Sequence, residues 1–175
     1  MTPREWSPAI VAAVASVVAF APASVADVAP PAEGFHLQLF GVPRYTVRAA
    51  VVGALQRVEQ PGCQQLFTEF ADRAGRPVAE HLRETGQTPA SLLGSLYFVQ
   101  ADHDHRCRGA DATVAFTSPG NHVIFICGER FATRFARDLR GGEIVIIHEL
   151  LHVTGLGENP PSSTEITRRV HAACR

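Results

Sequence analysis

Between Ile144 and Thr154 the chain is apolar on every side of a would-be helix except at three positions. Ile144, Val145, Ile146, Ile147, Leu150, Leu151 and Val153 cannot share one face at about 3.6 residues per turn, so a helix here must be covered all round. His148, Glu149 and His152 are carried into the interior with it. Burying two imidazoles and a carboxylate is costly unless each finds a partner, so the fold must supply partners at this point. Asp138 offers an N-cap and Gly155 a residue for the turn that ends a helix. Together they predict a helix from Asp138 to about Thr154, with Gly141-Gly142 weakening its second turn by about 1 kcal/mol per glycine.

The spacing of the three polar residues carries chemistry. His148 and His152 lie four apart, on one helical face, where both imidazoles reach a single ion from consecutive turns. Glu149 stands about 100° around from His148, close enough to touch a metal-held water without being a ligand itself. Neutral imidazole suits zinc, and three protein ligands leave the fourth position of a tetrahedral ion for water. A carboxylate beside that water can take its proton as it attacks a carbonyl. His148 and His152 are therefore expected metal ligands, Zn2+ the expected cofactor and Glu149 the expected general base.

The rest of the chain suggests where this chemistry takes place. Arg4, an apolar run from Ala9 to Phe20, and small residues at Ala21-Pro22-Ala23 and Ser24-Val25-Ala26 make up a secretory signal pattern. The run is shorter than the roughly 20 residues a spanning helix needs. Residues 1–26 are expected to be a signal peptide cleaved after Ala26, with Ala23 the second choice and an uncleaved anchor the alternative. Residues 27–34 then form a linker and 35–175 a single domain in a secreted or periplasmic protein. Cys63, Cys107, Cys127 and Cys174 are even in number and form no CxxC pair, which in an oxidising compartment reads as two disulfides. Four cysteines permit three pairings. Cys63–Cys107 with Cys127–Cys174 is preferred, since the second bridge would tie the sheet to the terminal helix. A net charge of −1 recommends neither nucleic acid nor an anionic membrane as partner.

Patterning predicts an α+β fold. Phe35–Phe40 alternates like a strand, and Thr46–Val58 is helical, with a second helix after Pro61-Gly62 and a third from Gly75-Arg76-Pro77 to about Gly86. Leu92–Gln100 reads as a strand, 101–110 as a polar loop, and Thr113–Thr117 with His122–Cys127 as a hairpin about the turn 118–121. The expected sheet is small and mostly antiparallel, with the metal helix packed on it and a last helix over Ser162–Ala173. Asp102-His103-Asp104-His105 reads as a solvated loop rather than a second ion site. Tyr97 reads as core, while His171, near the end of the last helix, is a candidate oxyanion donor.

The stretch His148-Glu149-Leu150-Leu151-His152-Val153-Thr154-Gly155-Leu156-Gly157-Glu158 resembles the zincin metallopeptidases, and within them the extended metzincin pattern HExxHxxGxxH. The resemblance implies a zincin-like fold and a peptide or protein substrate held along an edge strand of the sheet. It also implies a third ligand brought back to the metal after Gly155. Glu158 stands where that family carries its third histidine, and a carboxylate is an acceptable zinc ligand. Met1 is the only methionine, so the methionine turn beneath the metal in metzincins has no counterpart here. Glu165 is the competing third ligand, although Ser162 and Glu165 also match a capping box. The expected function is a secreted zinc peptidase. The alternatives are a zincin-like domain that holds zinc without catalysis and a binding domain without metal.

Overall fold

The all-apolar helix forms as its caps predict. In the computed structural model, which describes residues 34–110 and 113–175, it runs over Leu139–Val153 and is α7 in chain order. Asp138 caps it by accepting the Gly141 N–H at 3.0 Å, and every residue from Ile146 to Val153 is buried. The expected signal segment and nearly all of the expected linker lie outside the described residues.

Three elements cover α7. α1 (Gly41–Val58) packs along it, α6 (Gly128–Phe135) closes its N-terminal half, and α8 (Ser163–Ala173) lies across it from the other side. Gly142, a poor choice for helix propensity, is explained by this packing. A Cβ there would stand 3.2 Å from the Ala50 side chain and 3.3 Å from Phe131, so the missing side chain lets α1 and α6 approach together. Arg57 of α1 pairs with Glu143 of α7 and donates to the Cys174 carbonyl at 3.2 Å, tying both helices to the end of the chain. Between α1 and the second strand come α2 (Pro61–Glu69), α3 (Val78–Glu84) and α4 (Pro89–Gly94).

The architecture is mixed α and β, consistent with the expected α+β class, but the sheet differs from expectation. Its order is β1 (His36–Gln38), β2 (Tyr97–Gln100), β4 (Val123–Ile126), β3 (Ala115–Phe116). β1–β2 and β2–β4 are parallel and only β3–β4 is antiparallel, so the sheet is not mostly antiparallel. The hairpin was readable because its strands adjoin in sequence. The parallel pairs depend on long crossovers that no local pattern reports. Leu92–Gly94, read as strand, is helical instead. Thr88 and Ser91 form a reciprocal capping box that starts α4, and β2 begins only at Tyr97. A single turn, α5 (His105–Arg108), interrupts the predicted loop, capped by Asp104. Tyr97 is not core: it is 41% exposed and stacks on His36 across the β1–β2 pair.

Two disulfides form, Cys63–Cys174 and Cys107–Cys127, so the preferred pairing is overturned. The sheet explains the second bridge. Because β2 and β4 are parallel, their ends lie side by side, and the Ala101 N–H bonds to the Ile126 carbonyl at 2.8 Å. Cys107, in the turn after β2, and Cys127, directly after β4, emerge at that shared end. Cys174 is left to the α2–α8 contact, where it meets Cys63. Among the described residues no helix is long and apolar enough to cross a membrane.

The bridges span 111 and 20 residues. By loop-closure entropy they contribute about 5 and about 3 kcal/mol. Replacing Cys63 and Cys174 together by Ala is therefore expected to lower the urea midpoint more than replacing Cys107 and Cys127. The opposite order would show that local packing, not chain entropy, dominates.

Candidate functional site

Two turns of α7 bring His148 Nε2 and His152 Nε2 to 3.0 Å from each other, both rings buried. The segment after the helix completes the group. Gly155 takes φ 103°, a region open to glycine and strained for other residues. Its N–H bonds to the His152 carbonyl, and the Leu156 N–H reaches back to the Leu151 carbonyl at 3.1 Å. That pair of bonds is a Schellman end, and it reverses the chain over the histidines. The reversal sets the Leu156 carbonyl on His152 Nδ1 at 2.8 Å and brings Glu158 Oε1 to 3.4 Å from His152 Nε2 and 3.8 Å from His148 Nε2. Among the described residues this is the one group of three or more His, Cys, Asp or Glu whose donor atoms converge, all within 4.8 Å.

The donor set fits a divalent cation. A carbonyl only accepts, so His152 carries its proton on Nδ1 and turns a lone pair inward from Nε2. His148 Nδ1 is engaged by Thr167 Oγ1 at 2.9 Å, which leaves its Nε2 facing the same point. A proton on His148 Nε2 would bridge the two rings but leave the Glu158 carboxylate aimed at the acceptor nitrogen of His152. A cation satisfies all three donors at once, and each imidazole has the outer hydrogen bond that orients a metal-ligating histidine. Burial, reinforced by the neighbouring His152, pushes the His148 imidazole down to about 3, so it is neutral as a ligand must be.

Glu149 sits beside this group, also buried. Burial and the charge of Glu158 push its carboxyl up to about 8, while the Thr117 backbone N–H pulls it the other way. A carboxyl raised in this way holds a proton readily, and a cation opposite it would lower it again. Two adjoining hollows open over the site. One of about 620 Å³ lies between β3, α7 and α8, and one of about 290 Å³ lies over His152 and Glu158; His148, Glu149, Ala115 and Ser163 border both. β3 is an edge strand of the sheet and forms one wall.

Of the residues singled out from sequence, the structure brings His148, Glu149, His152 and Glu158 together. Glu165 is elsewhere. Its N–H caps on Ser162, and its carboxylate is clasped by Arg168 at 2.6 and 2.9 Å, which holds it below the usual carboxylate range. His171 lines the larger hollow. Asp102 accepts from Gln100 Nε2 and the Glu129 N–H, while Asp104 is taken by Arg106, so these acids serve local structure. Sequence reasoning missed Thr167, the Leu156 carbonyl and the Thr117 N–H. Nothing in local spacing marks Thr167, because only the docking of α8 places it on His148.

Without metal, the two shifted groups act on stability in opposite directions. His148 is neutral in the fold down to about 3 against an ordinary 6.5, so stability is lost as pH falls through that window. Glu149 keeps its proton to about 8 against an ordinary 4.5, so stability is lost as pH rises through that window. The slopes cancel between about 4.5 and 6.5. Chelator-treated protein is expected to show its highest unfolding midpoint on that plateau, with a fall on either side. A midpoint still rising at pH 8 would contradict a buried, raised Glu149.

Compared with protein-family profiles, curated proteins and solved structures, the chain matches none.

Proposed function

We propose that this protein is an exported zinc-dependent peptidase. One observation carries the reading. His148, His152 and Glu158 converge on one point at the floor of an open cleft, with the Glu149 carboxyl beside them and an edge strand along the wall. The likeness of His148–Glu158 to the zincin pattern points the same way, and two disulfides together with the signal-like start of the chain support export.

In this reading His148, His152 and Glu158 hold the metal, with Thr167 and the Leu156 carbonyl fixing the two rings. Zinc, when bound, supplies a Lewis acid that polarises a carbonyl and lowers the pKa of water to about 7. Glu149 takes the proton from the attacking water at its carboxylate and passes it to the departing amine. The Thr117 N–H orients that carboxylate from the end of β3. An extended peptide lies against β3, whose outer edge offers backbone hydrogen bonds to an added strand.

Purified protein is expected to hold about one zinc per chain, and His148→Ala with His152→Ala to abolish it. Glu149→Ala should keep the metal and lower peptide hydrolysis by about 10²–10⁴-fold. Full activity in that variant would refute the mechanism, whereas zinc binding without turnover of any peptide in a broad library would favour the non-catalytic zinc domain. Glu158→Gln and Glu165→Gln, titrated side by side, are expected to lose zinc affinity in the first only; loss confined to Glu165→Gln would move the third ligand.

A further inference from the structure

The larger hollow beside the site has a charge pattern that the peptidase reading does not use. Its walls are partly apolar, from Val114 and Val145, and its reactive end is His148 and Glu149. Among the described residues every other ionisable group lining it is basic: Arg134 from the last turn of α6, and Arg168 and His171 from α8. The smaller hollow repeats the bias, with Arg73 as its one ionisable group, among the described residues, outside the His148, His152 and Glu158 cluster and Glu149. A chain of net charge −1 does not place cations there by composition alone.

These cations are not equivalent. Arg168 is clamped side-on by Glu165, which fixes its position and cancels its charge. Arg134 has no carboxylate opposite it among the described residues; its guanidinium rests 5.6 Å from the Phe135 ring centre, a contact that leaves its N–H edge to a ligand. Among the described residues the uncompensated positive charge of the hollow is therefore Arg134, with the His171 ring as a second donor.

We propose that this hollow is a specificity pocket for a carboxylate, so that the substrates are peptides presenting an acidic side chain, or a free C-terminus, next to the bond held at the metal site. The proposal rests on the peptidase reading for the position of that bond. Arg134 supplies the recognising charge through charge-assisted hydrogen bonds, and a basic side chain is excluded by repulsion.

The test separates recognition from turnover. Zinc-loaded Glu149→Gln protein is titrated with alanine-rich decapeptides in which one position is scanned through Glu, Gln, Leu and Lys, each with a free or amidated C-terminus. The expected result is at least about tenfold tighter binding of the Glu peptide than of the Gln peptide. The preference should disappear when Arg134→Gln is added, reverse towards Lys with Arg134→Glu, and persist with Arg137→Gln, an exposed arginine outside the hollow. If amidation alone abolishes the preference, the carboxylate is the C-terminus; if the scanned Glu alone matters, it is a side chain. Equal binding of all peptides, or a preference untouched by Arg134→Gln, overturns the pocket. The same panel given to the wild-type enzyme tests the other reading: cleavage without charge preference leaves a peptidase without this pocket. Acidic-peptide binding without cleavage leaves the pocket without the peptidase. Absence of binding defeats both.

Discussion

The Nε2 atoms of His148 and His152 face each other inside an apolar helix, and much of the structure is arranged around that costly placement. α7 is covered on all sides because its residues leave no polar face to turn to water. The two rings therefore cannot escape to solvent, and each must be satisfied on its outer nitrogen. Thr167 does this from α8 and the Leu156 carbonyl does it from the turn after α7. With the outer nitrogens occupied, the inner ones are left to one another and to Glu158. The site is thus a product of burial: the helix that cannot face water forces its polar atoms to face a common point.

The same constraint explains why the helix ends where it does. The Schellman turn at Gly155 satisfies the last carbonyls of α7 and in doing so returns the chain across the histidines. Capping the helix and bringing Glu158 to the histidines are one piece of geometry, and a residue with a Cβ at Gly155 would strain both. α8 is held over the opening by the Cys63–Cys174 bridge and by Arg57, so the element that orients His148 is anchored at its far end to α2 and α1. Thr117, directly after β3, lines the same hollow as Glu149. Three separate segments thus converge on five residues of one helix.

Electrostatics divides the cleft into two parts. The two carboxyl groups, Glu149 and Glu158, gather at the floor beside the histidines. The arginines stand further out, Arg134 on α6, Arg168 on α8 in its pair with Glu165, and Arg73 between α2 and α3. Acidic and basic groups are thus segregated within the cleft although the net charge of the chain is only −1.

The chain alone determined the elements whose signals are local. The extent of α7, its Asp138 cap, its Gly155 stop, the Ser162 cap of α8, the hairpin about residues 118–121 and the His-Glu-His placement all come from periodicity and capping chemistry, which act over a few residues. Glu158 was reachable by the same logic, since only a turn separates it from the helix. Other features were decided by contacts between distant segments. Parallel pairing of β1, β2 and β4 depends on crossovers of tens of residues, and the disulfide partners are set by that pairing, so an antiparallel reading of the sheet misassigned both. Leu92–Gly94 looked like strand because apolar runs are ambiguous, and the Thr88–Ser91 capping box settled it as helix. Thr167 on His148, the clasp of Glu165 by Arg168, and Arg134 at the hollow depend on where α8 and α6 dock. Docking is set by packing over the whole interior of the domain, so these contacts have no local signature in the chain.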